Sequence, residues 1–138
     1  RTPGLFHRVA LLCPGVSVVN PFQTDEEIQK YIDAQPKTTD PQLIWGLVEW
    51  IRYDFQNKEN WDRHDPMQLA EKATVPVKTA YYASCTKDDE YDFHDSAKKF
   101  VEIMAPKTDA RFVSIEKGGH CAEMPESLEA LAKFLAGK

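Results

Sequence analysis

The feature that most constrains the fold is the rhythm of the second half of the chain. "VPVKTAYYAS", residues 75–84, has the β-branched and aromatic content of a strand entered by Pro76. "DFHDSAKKFVEIM", residues 92–104, reads as a helix capped by Asp92, with Phe93, Ala97, Phe100, Val101 and Met104 on its inner face. "ARFVSI", residues 110–115, is a second strand. "PESLEALAKFLAGK" then forms a closing helix that starts at Pro125, stops near Gly137, and buries Leu128, Leu131, Phe134 and Leu135. Strands and helices alternating through short loops require crossover connections and a parallel sheet. "RVALLC", residues 8–13, adds a continuous apolar run closed by Pro14-Gly15, the pattern of a strand buried on both faces. The expected class is α/β, a parallel sheet with crossover helices.

Between the first strand and this alternation the pattern is helical. Thr24 and Glu27 have capping-box spacing, with Ile28, Tyr31 and Ile32 on one face of the helix they open. Asp40-Pro41 starts another, where Leu43, Ile44, Leu47, Val48, Ile51 and Phe55 recur at helical spacing. Asp65-Pro66 repeats that opening. Trp45, Trp50, Tyr53 and Trp61 make residues 45–61 the aromatic centre of the chain. The organisation is thus a core strand and loop over 1–19, a helical insertion over 20–64, and a C-terminal core over 65–138.

Bulk properties narrow the function. The 138 residues suit one domain, and 42% hydrophobic with 28% charged residues is ordinary for a globular protein. A net charge of −5 without a basic run argues against a nucleic-acid partner. No apolar stretch approaches the length of a membrane span. The chain opens Arg1-Thr2-Pro3 without an initiator methionine, so the lack of a visible secretory leader carries little weight. Cys13, Cys85 and Cys121 form an odd count without metal-like spacing, which favours reduced thiols and a reducing, cytoplasmic setting. No cofactor loop is present, and no metal site is expected from "DDEYD", which lacks the spacing of a calcium loop. His7, His64 and His94 read as surface or packing residues.

In open α/β sheets ligands bind beyond the carboxyl ends of the strands. Two loops leave such ends with reactive side chains: "SCTKDDEYD" and "EKGGHC". On neighbouring strands, an Asp of the first reaches His120 of the second, where it fixes the imidazole tautomer and stabilises the imidazolium. The order strand, Asp loop, helix, strand, Gly-Gly-His loop, helix resembles the C-terminal half of an α/β-hydrolase. That resemblance implies that His120 is the general base and that Asp88 is the orienting acid, the family's Gly-x-x-Asp pattern falling on Cys85 to Asp88. Asp89, next to it, is the alternative acid. It also implies that "GLFHRVALLCPGVS" is the strand after the nucleophile helix and that residues 20–64 stand where the family inserts a lid. Trp45, Trp50, Phe55 and Trp61 would then line a pocket for a small apolar or aromatic acyl substrate.

One part of the family pattern is absent. No G-x-S-x-G elbow occurs, and "PGVSVV" has Val19 where the second glycine should stand. The expected protein is the C-terminal part of a carboxylesterase-like serine hydrolase whose serine lies upstream or on another chain. Exposed edges of a half-sheet predict pairing with that missing portion, or self-association. A same-fold hydrolase with an Asp or Cys nucleophile, and a non-catalytic binding or scaffold protein, are the alternatives.

Overall fold

The computed structural model describes residues 6–15, 19–37, 39–74 and 77–137. Among them three strands form one parallel sheet in the order β1-β2-β3: β1 is Arg8–Leu12, β2 is Ala80–Thr86 and β3 is Ala110–Ile115. Leu12 pairs with Ser84, and Ser84 with Val113, so the three carboxyl ends lie at one rim. That rim is the place to look for chemistry.

The central strand explains why the sheet is covered on both faces. Side chains alternate across a strand. Ala83 and Cys85 therefore face Met67, Phe100 and Val101 on one side, while Ala80 and Tyr82 face Phe134 on the other. The covering helices are α4 (Pro66–Lys72) and α5 (Phe93–Met104) on the first face and α6 (Pro125–Leu135) on the second. Two polar residues of β2, Ser84 and Thr86, are fully buried, and each donates a hydrogen bond, to Glu123 Oε1 and to the Gly119 carbonyl. Buried hydroxyls without such partners would be costly.

The helical segment follows its local signals. The Thr24 hydroxyl accepts from the Glu27 amide and the Glu27 carboxylate accepts from the Thr24 amide, closing the capping box of α1 (Asp25–Asp33). Asp40 caps α2 (Pro41–Phe55) by accepting from the Gln42 amide. A short helix not expected from the pattern, α3 (Lys58–Asp62), follows a left-handed Gln56. Ile28 and Ile32 of α1 pack on Ile44 and Val48 of α2 in a core of their own.

Several expectations need correction. Pro76, placed at the start of a strand, lies outside the described residues; Val77, Lys78 and Thr79 precede β2, which begins at Ala80 and continues to Thr86. Asp92 does not cap α5 through its side chain: its backbone is left-handed, and its carboxylate accepts from the Tyr31 hydroxyl at 2.8 Å instead. On α6 the inward face is Ser127, Ala130, Leu131 and Phe134, while Leu128 and Leu135 are half exposed. A helix on a three-stranded sheet has only a narrow surface to cover, so part of its apolar stripe is left outside. No helix of the described residues is long and apolar enough to cross a membrane.

Candidate active site

Three loops meet at the carboxyl rim of the sheet. Residues 87–92 follow β2, residues 116–124 follow β3, and Cys13 directly follows β1. Gly118 and Gly119 make the second loop possible. Both have positive φ, 151° and 71°, and a Cβ on Gly118 would stand 2.4 Å from the Ala122 Cβ. Only glycine fits there without displacing its neighbours.

The carboxylate that meets His120 is Asp89, not Asp88. Asp89 Oδ2 lies 2.8 Å from His120 Nδ1, and Asp89 is 2% exposed. Its other oxygen, Oδ1, accepts from the Tyr91 amide at 2.8 Å. With Asp89 Oδ2 accepting, the imidazole N–H is the one on Nδ1, and Nε2 is the acceptor nitrogen, facing the Cys121 thiol at 3.1 Å. Asp88 has a different task. It accepts from the Gly118 and Gly119 amides, each at 3.0 Å to Oδ1, and these bonds hold its carboxyl below the usual range. The reason for the change of register is the length of β2. The strand continues to Thr86, so the turn begins later and Asp89 is the residue carried inward.

His120 is further fixed by its surroundings. Its backbone amide donates to Glu90 Oε2 at 2.9 Å. Its ring packs on Tyr91 at 4.6 Å and edge-on to Phe93 at 5.6 Å between centroids. Phe93 is also the wall of an apolar cavity of about 310 Å³, shared with Ile44, Leu47, Val48, Trp50 and Trp61. Of the four aromatics expected in a pocket, Trp50 and Trp61 line this cavity. Trp45 instead packs beside the α1–α2 core and donates its indole N–H to Gln29, and Phe55 stands edge-on against Trp61. Gly15 admits the Phe93 ring: a Cβ on it would come within 2.9 Å of that ring.

The three cysteines converge on the same place, and all are free thiols. Cys13 Sγ is 3.0 Å from Cys85 Sγ and 3.1 Å from Asp89 Oδ2, and it accepts from the Cys121 amide at 3.0 Å. Cys121 Sγ stands 3.1 Å from His120 Nε2. Of the buried pair, Cys13 ionises first: the hydrogen bond from Cys85 lowers its pKa, and that same bond, with burial, raises the pKa of Cys85. Cys121 is pushed up to about 11, first by burial and then by the negative charge of Cys13, Asp89 and Glu123. Cys13 and Cys121 both have left-handed backbones, φ 45° and 58°. Non-glycine residues in that region concentrate at functional sites.

Sequence reasoning treated Cys13 and Phe93 as ordinary core. The usable signal for Cys13 was its place at the end of a parallel strand, which puts it at the same rim as the two reactive loops. Phe93 carried a similar signal in following the acidic loop directly. Ser17, the serine of "PGVSVV", lies outside the described residues. A comparison with protein-family models, curated proteins and solved structures finds no match to this chain.

Proposed function

We propose that the chain supplies the acid–base half of an α/β-hydrolase-type catalytic site, with His120 as general base and Asp89, rather than Asp88, as its orienting acid. The observation that carries this reading is the 2.8 Å contact between a buried carboxylate and Nδ1 of a rim histidine on neighbouring parallel strands. An attacking serine hydroxyl that takes the place of the Cys121 thiol beside Nε2 gives its proton to that nitrogen, and Asp89 stabilises the imidazolium formed. The same imidazolium protonates the leaving alcohol, and a water deprotonated at Nε2 releases the acyl group. The apolar cavity beside Phe93 suits an acyl or aryl group, and residues 20–64 serve as its lid. The serine comes from outside these 138 residues. β1 has no strand partner on its outer side among the described residues, which leaves an edge for the preceding part of such a sheet.

The test is fluorophosphonate labelling of source material containing the chain, followed by peptide mapping and ester turnover. Label on a serine outside residues 1–138, with turnover abolished by His120→Ala in the complete polypeptide, is the expected result. Unchanged turnover in that variant overturns the assignment. A second reading is favoured by one observation, the Cys121 thiol 3.1 Å from His120 Nε2, which completes a Cys-His-Asp series within the chain. The raised pKa of Cys121 weighs against it, because reactive cysteines are those whose thiolate is stabilised. Turnover by the isolated chain that Cys121→Ala removes would favour this second reading.

A further inference from the structure

The hydrolase reading uses Asp89 and His120 and leaves the sulfur cluster without a task. Cys13 Sγ, His120 and Cys121 Sγ offer ligand atoms that all lie within 4.8 Å of one another. A tetrahedral zinc ion with bonds of about 2.3 Å to sulfur and about 2.0 Å to nitrogen sets its ligand atoms roughly 3.5 to 3.8 Å apart. The Cys121 Sγ to His120 Nε2 separation of 3.1 Å needs to open by only a few tenths of an ångström. The ligands come from the end of β1 and from the loop after β3, held by the sheet register. No spacing rule along the sequence reveals them.

The groups around the ligands have the arrangement that zinc sites require. Metal-binding histidines donate their second ring N–H to a carboxylate, which fixes the tautomer and aims the other nitrogen at the ion. Asp89 does this to His120 Nδ1. The Cys121 amide donates to Cys13 Sγ, and Cys85 Sγ is 3.0 Å from the same sulfur, so a Cys13 thiolate has two donors. His120 and Cys121 are exposed, which gives the ion an entry path and leaves a fourth position open to water. Thiolate and imidazole ligands together select zinc over magnesium or calcium.

We infer that Cys13, His120 Nε2 and Cys121 form a Cys2His site for a zinc ion, oriented by Asp89. Binding forms two Zn–S bonds and one Zn–N bond, and the protons of the Cys13 and Cys121 thiols pass to solvent. The ion's charge is balanced by the two thiolates. Cys13 then no longer donates to Asp89, which keeps its bonds from His120 and the Tyr91 amide. The site does not depend on the hydrolase reading. It excludes that activity while filled, because the ion occupies the nitrogen that would take the serine proton.

The experiment is titration of the reduced 138-residue chain with Co2+, read by its thiolate-to-cobalt charge-transfer band, followed by displacement with Zn2+ and measurement of the protons released. One equivalent, a band with two-thiolate intensity, tighter zinc binding and between one and two protons per ion are expected. Cys121→Ser and His120→Ala, at exposed positions and with circular dichroism unchanged, weaken binding more than Asp89→Asn, which lowers affinity about 10- to 100-fold. Cys85→Ser keeps the stoichiometry and the band. No binding, a band that survives Cys121→Ser, or a band lost in Cys85→Ser but kept in His120→Ala overturns the site.

Discussion

The helical segment and the rim of the sheet are built by opposite rules. In residues 20–64 each helix carries its own start signal: the Thr24 capping box, the Asp40-Pro41 opening, the Asn57 cap. Apart from Thr39 its buried residues are apolar, and Ile28 and Ile32 meet Ile44 and Val48, close in sequence. The rim reverses this. Cys13, Asp89 and His120 follow the ends of three separate strands, and their contacts are polar, at least partly buried and distant in sequence. A local, apolar region tolerates shifts of a side chain; a shared polar centre does not, because each lost partner leaves a desolvated group behind.

The sharpest way to break the comparison is to exchange two adjacent carboxylates. Asp89→Asn is expected to lower ester turnover of the complete polypeptide by about 10⁴-fold, the order seen when a triad carboxylate is replaced by its amide. Asp88→Asn is expected to leave turnover within a small factor. Equal losses in the two variants would place the orienting role elsewhere.

Next in size is Trp61→Ala. Trp61 is 6% exposed, lines the apolar cavity and meets Phe55 edge-on at 5.2 Å. Removing a buried aromatic of this kind costs about 3–5 kcal/mol, read as a lowered denaturant midpoint. Trp50 lines the same cavity but is 60% exposed, and Trp50→Ala is expected to stay within about 0.5 kcal/mol.

Gly118→Ala tests the rim from the backbone side. The positive φ and the Ala122 contact together predict a cost of about 1–3 kcal/mol. Hydrogen exchange should localise the damage to residues 116–124 and spare α1 and α2. Damage spread equally over both regions would contradict a local role for the Gly118 turn.

The smallest effect is one of pH. Asp88 has its folded pKa held below the ordinary value of about 3.9 by the Gly119 and Gly118 amides. Its stabilisation of the loop is therefore fully present above that value and is lost as pH falls through the lower folded pKa. Protection factors of those two amides should drop on acidification in the native chain. In Asp88→Asn, whose amide oxygen accepts but does not titrate, the protection should be somewhat lower and should lose this pH dependence.

The residues that were legible in advance share one property: their partners are nearby in sequence. Thr24, Asp40, Pro41 and the stripe of α5 announce themselves through caps and periodicity. β3 matches its expected span, residues 110–115, because its apolar run is bounded on both sides. Asp92 misled because an Asp before a helix is ordinarily a cap, whereas the Tyr31 hydroxyl, from the other region, took its carboxylate. The choice between Asp88 and Asp89 depended on where β2 ends, and that is decided by pairing with β1 and β3.

By itself the sequence determined an α/β chain, a parallel sheet with crossover helices, and a histidine presented after two glycines at the end of a strand. Periodicity, caps and turns act over a few residues, so they are written locally. Only the tertiary structure decided that Asp89 meets His120, that Asp88 holds the glycine turn, and that three scattered cysteines share one centre. Those contacts depend on strand register and on which face each side chain takes, and a shift of one residue reverses both.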